Sequence, residues 1–74
     1  MINDVLARQR DFTESFMKSE IKRIKNDCDK NDIADYFDEY DIGWTLLSRY
    51  LGKEYSLVNS IDAAGYAMYR IRKQ

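Results

Sequence analysis

Three stretches of the chain repeat apolar residues at helical spacing, and strict apolar–polar alternation is not evident. In the first, Val5, Phe12 and Phe16 lie on one stripe and Leu6, Met17, Ile21, Ile24 and Cys28 on an adjacent one. Asn3 is placed to cap this helix, and Lys22, Arg23 and Lys25 suit the negative end of its dipole. Asp4, Asp11, Glu14, Lys18, Lys22 and Lys25 fall on the opposite face. In the second stretch, Ile33, Phe37, Tyr40, Trp44, Leu47 and Leu51 follow at spacings of 4, 3, 4, 3 and 4. The phase runs unbroken through Gly43, which implies one helix capped by Asn31 or Asp32 and ended by Gly52. In the third, Leu57, Ile61, Ala64, Met68 and Ile71 keep the same spacing behind a capping Ser56, and Ala63, Ala64 and Gly65 permit close helix approach.

The pattern therefore predicts an all-α fold, a small antiparallel three-helix bundle with helices at about 4–28, 32–51 and 57–72. At 74 residues the chain reads as a single all-α domain spanning 1–74. A chain this short exposes much of its surface, so pairing of two copies is one way to complete the core.

Charge changes the picture more than composition does. The net charge is −1, but residues 31–45 carry five acidic groups and no basic one. Within them Asp32, Asp35, Asp38 and Glu39 point away from the apolar seam of the expected second helix, beside Tyr36. Such a stripe suits a basic surface on a protein partner, with Tyr36 as an aromatic anchor. Lys22, Arg23 or Arg70 could instead neutralise it within the fold. On the expected third helix Asn59, Tyr66, Tyr69, Arg70 and Lys73 share a face, an arrangement that can contact phosphates and stack on bases.

Catalytic chemistry finds little footing. The chain has no histidine, and its single cysteine, Cys28, sits between Asp27 and Asp29, which disfavour the thiolate. No phosphate loop, zinc pattern or nucleophile elbow is present, so we assign no catalytic residue, metal or cofactor. One cysteine, no signal-like apolar run at the start and no membrane-length apolar segment fit a cytoplasmic protein.

Two local resemblances touch the acidic stretch. Asp27, Asp29, Asn31, Ile33, Asp35 and Asp38 occupy the ligand offsets of a calcium-binding EF-hand loop, which the segment resembles over twelve residues. It departs from that pattern at Asp32, where the turn needs glycine, at Ala34, and at the short Asp38 in the bidentate position, so tight calcium binding is not expected. Residues 32–52 also look like a helix-turn-helix, in Ile33-Ala34, Ile42-Gly43 and Ser48-Arg49. About three extra residues precede that turn, and the acidic groups would face a polyanion. The leading expectation is a small non-catalytic adaptor, inhibitor or regulator that docks on a protein through the acidic helix face. Accessory proteins of phages and mobile elements are commonly of this kind. A DNA- or RNA-binding regulator is the alternative.

Overall fold

The computed structural model describes residues 2–63 and 66–74; within it, side chains are described from residue 14 onward. The expectations placed on Asn3, Asp4, Val5, Leu6, Asp11, Phe12, Ala64 and Gly65 lie outside the described side chains. The elements run α1 (Ile2–Asn31), β1 (Ile33–Asp38), α2 (Trp44–Leu51), β2 (Tyr55–Ala63) and β3 (Tyr66–Lys73). The protein is thus mixed α/β, with two helices and a three-stranded antiparallel sheet of order β1-β3-β2. The expected three-helix bundle is overturned: the first half of its second helix is a strand, and its third helix is a hairpin.

α1 contains the first expected helix and extends it. Met17, Ile21, Ile24 and Cys28, at spacings of 4, 3 and 4, are buried against the sheet. The helix ends at Asp32, expected above to cap the next helix. Asp32 instead adopts a positive φ of 67°, and its N–H donates to the Cys28 carbonyl at 2.9 Å. Aspartate tolerates this left-handed geometry better than most residues, and the bond satisfies a carbonyl the helix end would otherwise orphan.

β1 then alternates. Ala34, Tyr36 and Asp38 are buried, while Asp35 and Phe37 are exposed and Ile33 is half-buried. The partners on β3 share each face: Ala34 faces Ile71, Tyr36 faces Tyr69, and Phe37 faces Met68. The inner face meets Leu47 and Leu51 of α2 and the α1 stripe in one core cluster with Tyr55, Tyr69 and Ile71. Both helices therefore cover one face of the sheet. α2 carries the chain from one edge to the other, and β3 returns into the slot between.

The turn between β1 and α2 is built on two unusual features. Asp38 is 2% exposed, and its carboxylate accepts the N–H groups of Ile42 and Gly43, each at 2.8 Å. Gly43 sits at φ 85° and ψ 153°, a region that essentially only glycine enters. The expected helix through Gly43 therefore stops there. Tyr40, which the seam would have buried, is 47% exposed in the turn and meets the Phe16 ring edge-on at 4.9 Å. Gly52 closes α2 with its N–H on the Ser48 carbonyl at 2.9 Å.

An added Cβ at Gly43 would meet no atom within 4 Å, so backbone strain alone decides the effect of a side chain there. Gly43→Ala should cost about 1–3 kcal/mol in denaturant unfolding. A neutral or stabilising result would instead fit a continuous helix through this position.

Candidate interaction surface

With both helices on the inner face, the outer face of the sheet is open. Three rows of its residues cross all three strands, and Tyr66 pairs with Ala63 in a fourth that joins β3 to β2. Phe37, Met68 and Ile61 form the first row, Asp35, Arg70 and Asn59 the second, and Ile33, Arg72 and Ser56 the third. β2 joins these rows through a bulge between Leu57 and Asn59. The bulge reverses which residues face inward, so that Leu57 lines the core while Ile61 lies outside.

The first row is apolar, with Phe37 46% and Ile61 49% exposed and Met68 half-buried between them, and Tyr66 of the adjoining row is 44% exposed. The rings of Phe37 and Tyr66 stack with centroids 4.7 Å apart. Phe37 and Tyr66 are diagonal neighbours on antiparallel strands, a separation that aromatic side chains bridge readily. The stack thus joins two half-exposed aromatic rings across neighbouring strands of the sheet.

The second row is polar and paired. Arg70 grips Asp35 through both carboxylate oxygens, at 2.9 and 3.2 Å. This neighbour holds the Asp35 carboxyl below the usual carboxylate range. On the edge of β1, Arg23 donates to the Asp35 backbone carbonyl at 3.0 Å while bound to Glu20 at 2.6 Å and Asp27 at 2.8 Å. A clamp of α1 side chains thus occupies a carbonyl that the edge strand would otherwise leave open. Beyond the apolar row, Asp38, Asp41, Asp62 and Tyr66 line a shallow cleft at the end of the sheet. Glu39 is exposed in the adjoining turn.

The residues expected to make an acidic helix face do not share one. Asp32 ends α1, Asp35 lies on the outer face with Arg70, Tyr36 and Asp38 are buried, and Glu39 lies in the turn. The strand's two-residue period sends Tyr36 and Asp38 into the core. The alternative set also splits. Tyr66 and Arg70 lie on the outer face, whereas Tyr69 is buried and Lys73 reaches Asp29 at 3.7 Å. The residues at EF-hand offsets are dispersed: Asp27 meets Arg23, Asp29 meets Lys73, Asp35 meets Arg70, and Asp38 binds its own turn. Among the described residues, no three acidic or cysteine side chains are placed to hold a metal ion. The helix-turn-helix resemblance is lost because its first helix is β1. Sequence reasoning missed Phe37, Ile61 and Met68 as surface residues. The alternation Tyr69-Arg70-Ile71-Arg72 was the signal available for a strand.

Cys28 is buried with its Sγ 3.7 Å from the Ile71 carbonyl. Burial first, then the charges of Asp29 and Asp27, push its thiol up. Among the described residues no helix is long and apolar enough to cross a membrane. Comparison with known proteins returned no matching family model, no matching curated protein and no matching solved structure.

The buried tyrosines give the core a pH signature. Burial is the first cause that raises the phenols of Tyr36, Tyr55 and Tyr69 above their ordinary 10.0, and for Tyr36 and Tyr69 the Asp38 charge adds to it. Their folded-state contribution is full below the unfolded value and is lost as pH rises through the folded values. Above pH of about 10 the unfolded chain binds fewer protons, so stability falls with rising pH. Denaturation series at increasing pH should show this fall, and tyrosinate absorbance should jump on unfolding at alkaline pH. Full tyrosine ionisation in the folded protein near pH of about 10 would contradict the buried assignment.

Proposed function

We propose that this is a small non-catalytic binding protein that docks on a protein partner through the open face of its sheet. The observation that carries the reading is the exposed Phe37–Tyr66 stack, held beside Ile61 and Met68 on rigid strands. Aromatic residues, methionine and arginine are the types enriched at the centres of protein interfaces, and this face supplies all of them. The acidic groups lie at its rim, where Glu39, Asp41 and Asp62 favour a partner with an apolar patch fringed by lysine or arginine. The basic-surfaced partner inferred from the sequence is thus kept, but with a strand face and its turn in place of the acidic helix. A cytoplasmic setting fits the buried free thiol of Cys28.

An adaptor, inhibitor or regulator would work this way with no chemistry of its own. A second reading draws on the same stack, because exposed aromatics beside Arg70 and Arg72 on a sheet can also seat unpaired bases. The engagement of Arg70 by Asp35 and the acidic rim favour protein over nucleic acid.

The test is to capture the partner from the source cell, identify it, and measure its affinity for purified variants. Phe37→Ala and Tyr66→Ala should each weaken binding by about 2 kcal/mol, roughly 30-fold, while the fold remains intact by circular dichroism. Unchanged affinity in the double variant would remove this face from the interface. Salt-sensitive binding of a single-stranded oligonucleotide that is lost in the same variants would favour the nucleic-acid reading.

A further inference from the structure

The sheet has two edges, and they are treated differently. At the β1 edge Arg23 bonds the Asp35 carbonyl, and Asp35 itself is charged. The β2 edge carries no such guard over residues 59–63. Among the described residues no hydrogen bond beyond the sheet's own ladder reaches this segment, and every side chain from Val58 to Ala63 is exposed. Its one charged residue is Asp62, and it contains no lysine or proline. The bulge at Val58 disturbs only the first half of the strand. An unguarded edge of this kind is a template for adding another strand.

We propose that a second copy of the chain occupies it, with Asn59–Ala63 of the two copies pairing antiparallel about Ile61. The segment is complementary to itself in that register. Ile61 faces Ile61, Asn59 faces Ala63, and Ser60 faces Asp62, so no like charges stand opposite and a serine hydroxyl can donate to each carboxylate. The pairing also extends the outer face. The row Phe37–Met68–Ile61 meets its counterpart at Ile61, giving an unbroken apolar row across six strands.

Area adds a reason for two copies. Three strands about 4.8 Å apart, of six, nine and eight residues, present a face of roughly 400 Å². A stable interface buries about 800 Å² per partner. One copy falls short, and two copies side by side reach that size. The area argument rests on the docking role proposed above, while the pairing of the edges does not.

Sedimentation equilibrium of the whole chain tests the pairing. The wild-type protein should show a monomer–dimer equilibrium, and Ile61→Lys should raise its dissociation constant at least tenfold with the fold intact by circular dichroism. Phe37→Ala, two strands from the edge, should leave it unchanged. A second measurement uses single cysteines at Ser60, Ile61 and Asp62, with Cys28 left buried in place and the wild-type chain as control. Antiparallel partners lie about 4.5–5.5 Å apart at Cα, within disulfide reach, so the Ile61→Cys chain should cross-link to its own copy several-fold faster than the other two. A chain that stays monomeric at millimolar concentration overturns the proposal, and the docking face then stands or falls by its own variants. Cross-linking that does not peak at residue 61 also overturns it. So does a monomeric chain whose Asn59–Ala63 amides gain exchange protection only when the captured protein partner is added, because the edge then belongs to that partner.

Discussion

The Asp38 carboxylate holds the point at which this chain stops being a strand and becomes a helix. A charge at 2% exposure is costly unless it is matched, and here two backbone N–H groups, at Ile42 and Gly43, meet it at 2.8 Å. The Tyr69 hydroxyl lies 3.4 Å away and donates from the central strand. One side chain therefore ties the end of β1 to the start of α2 and to β3. Gly43 supplies the backbone angles that let its N–H reach back. With the turn fixed, α2 folds onto the inner face of the sheet, and Leu47 and Leu51 join the α1 stripe in the core.

That arrangement leaves the two faces of the sheet with different work. The inner face is filled by Ala34, Tyr36, Tyr69 and Ile71 against both helices. Among the described residues no helix covers the outer face, so Phe37 and Ile61 stay about half exposed. Fully burying an aromatic ring contributes about 1.5–3 kcal/mol, and at Phe37, still 46% exposed, folding realises only part of it. Its placement beside Tyr66, on strands braced by the Asp35–Arg70 pair, gives a partner a preorganised surface.

The core was partly legible in the sequence. The stripe Met17, Ile21, Ile24 and Cys28 reads directly as one buried helix face, and Leu47 and Leu51 read as core. Residues 33–38 did not read as a strand because three of them break alternation. Ile33 and Phe37 are apolar on the outer face, and Asp38 is charged on the buried one. Together they shift the apolar spacing to that of a helix and extend it into α2, where Trp44, Leu47 and Leu51 are truly helical. In β2 the bulge at Val58 switches the inward parity, so Leu57 and Ile61 fall on opposite faces while sitting four apart in sequence. Both the candidate surface and the turn were therefore hidden by the residues that make them useful.

The most direct measurement is the unfolding free energy of Asp38→Ala. The substitution removes an acceptor that serves two buried or half-buried N–H groups, each a charge-assisted bond of about 1.5–3 kcal/mol. A domain of this size has total stability on the order of 4–11 kcal/mol. A loss of about 3 kcal/mol or more, with weakened exchange protection in the 39–43 turn and in β1, is the expected result. A variant as stable as the wild type, with its turn amides unchanged, would contradict the account of how this sheet and its open face are built.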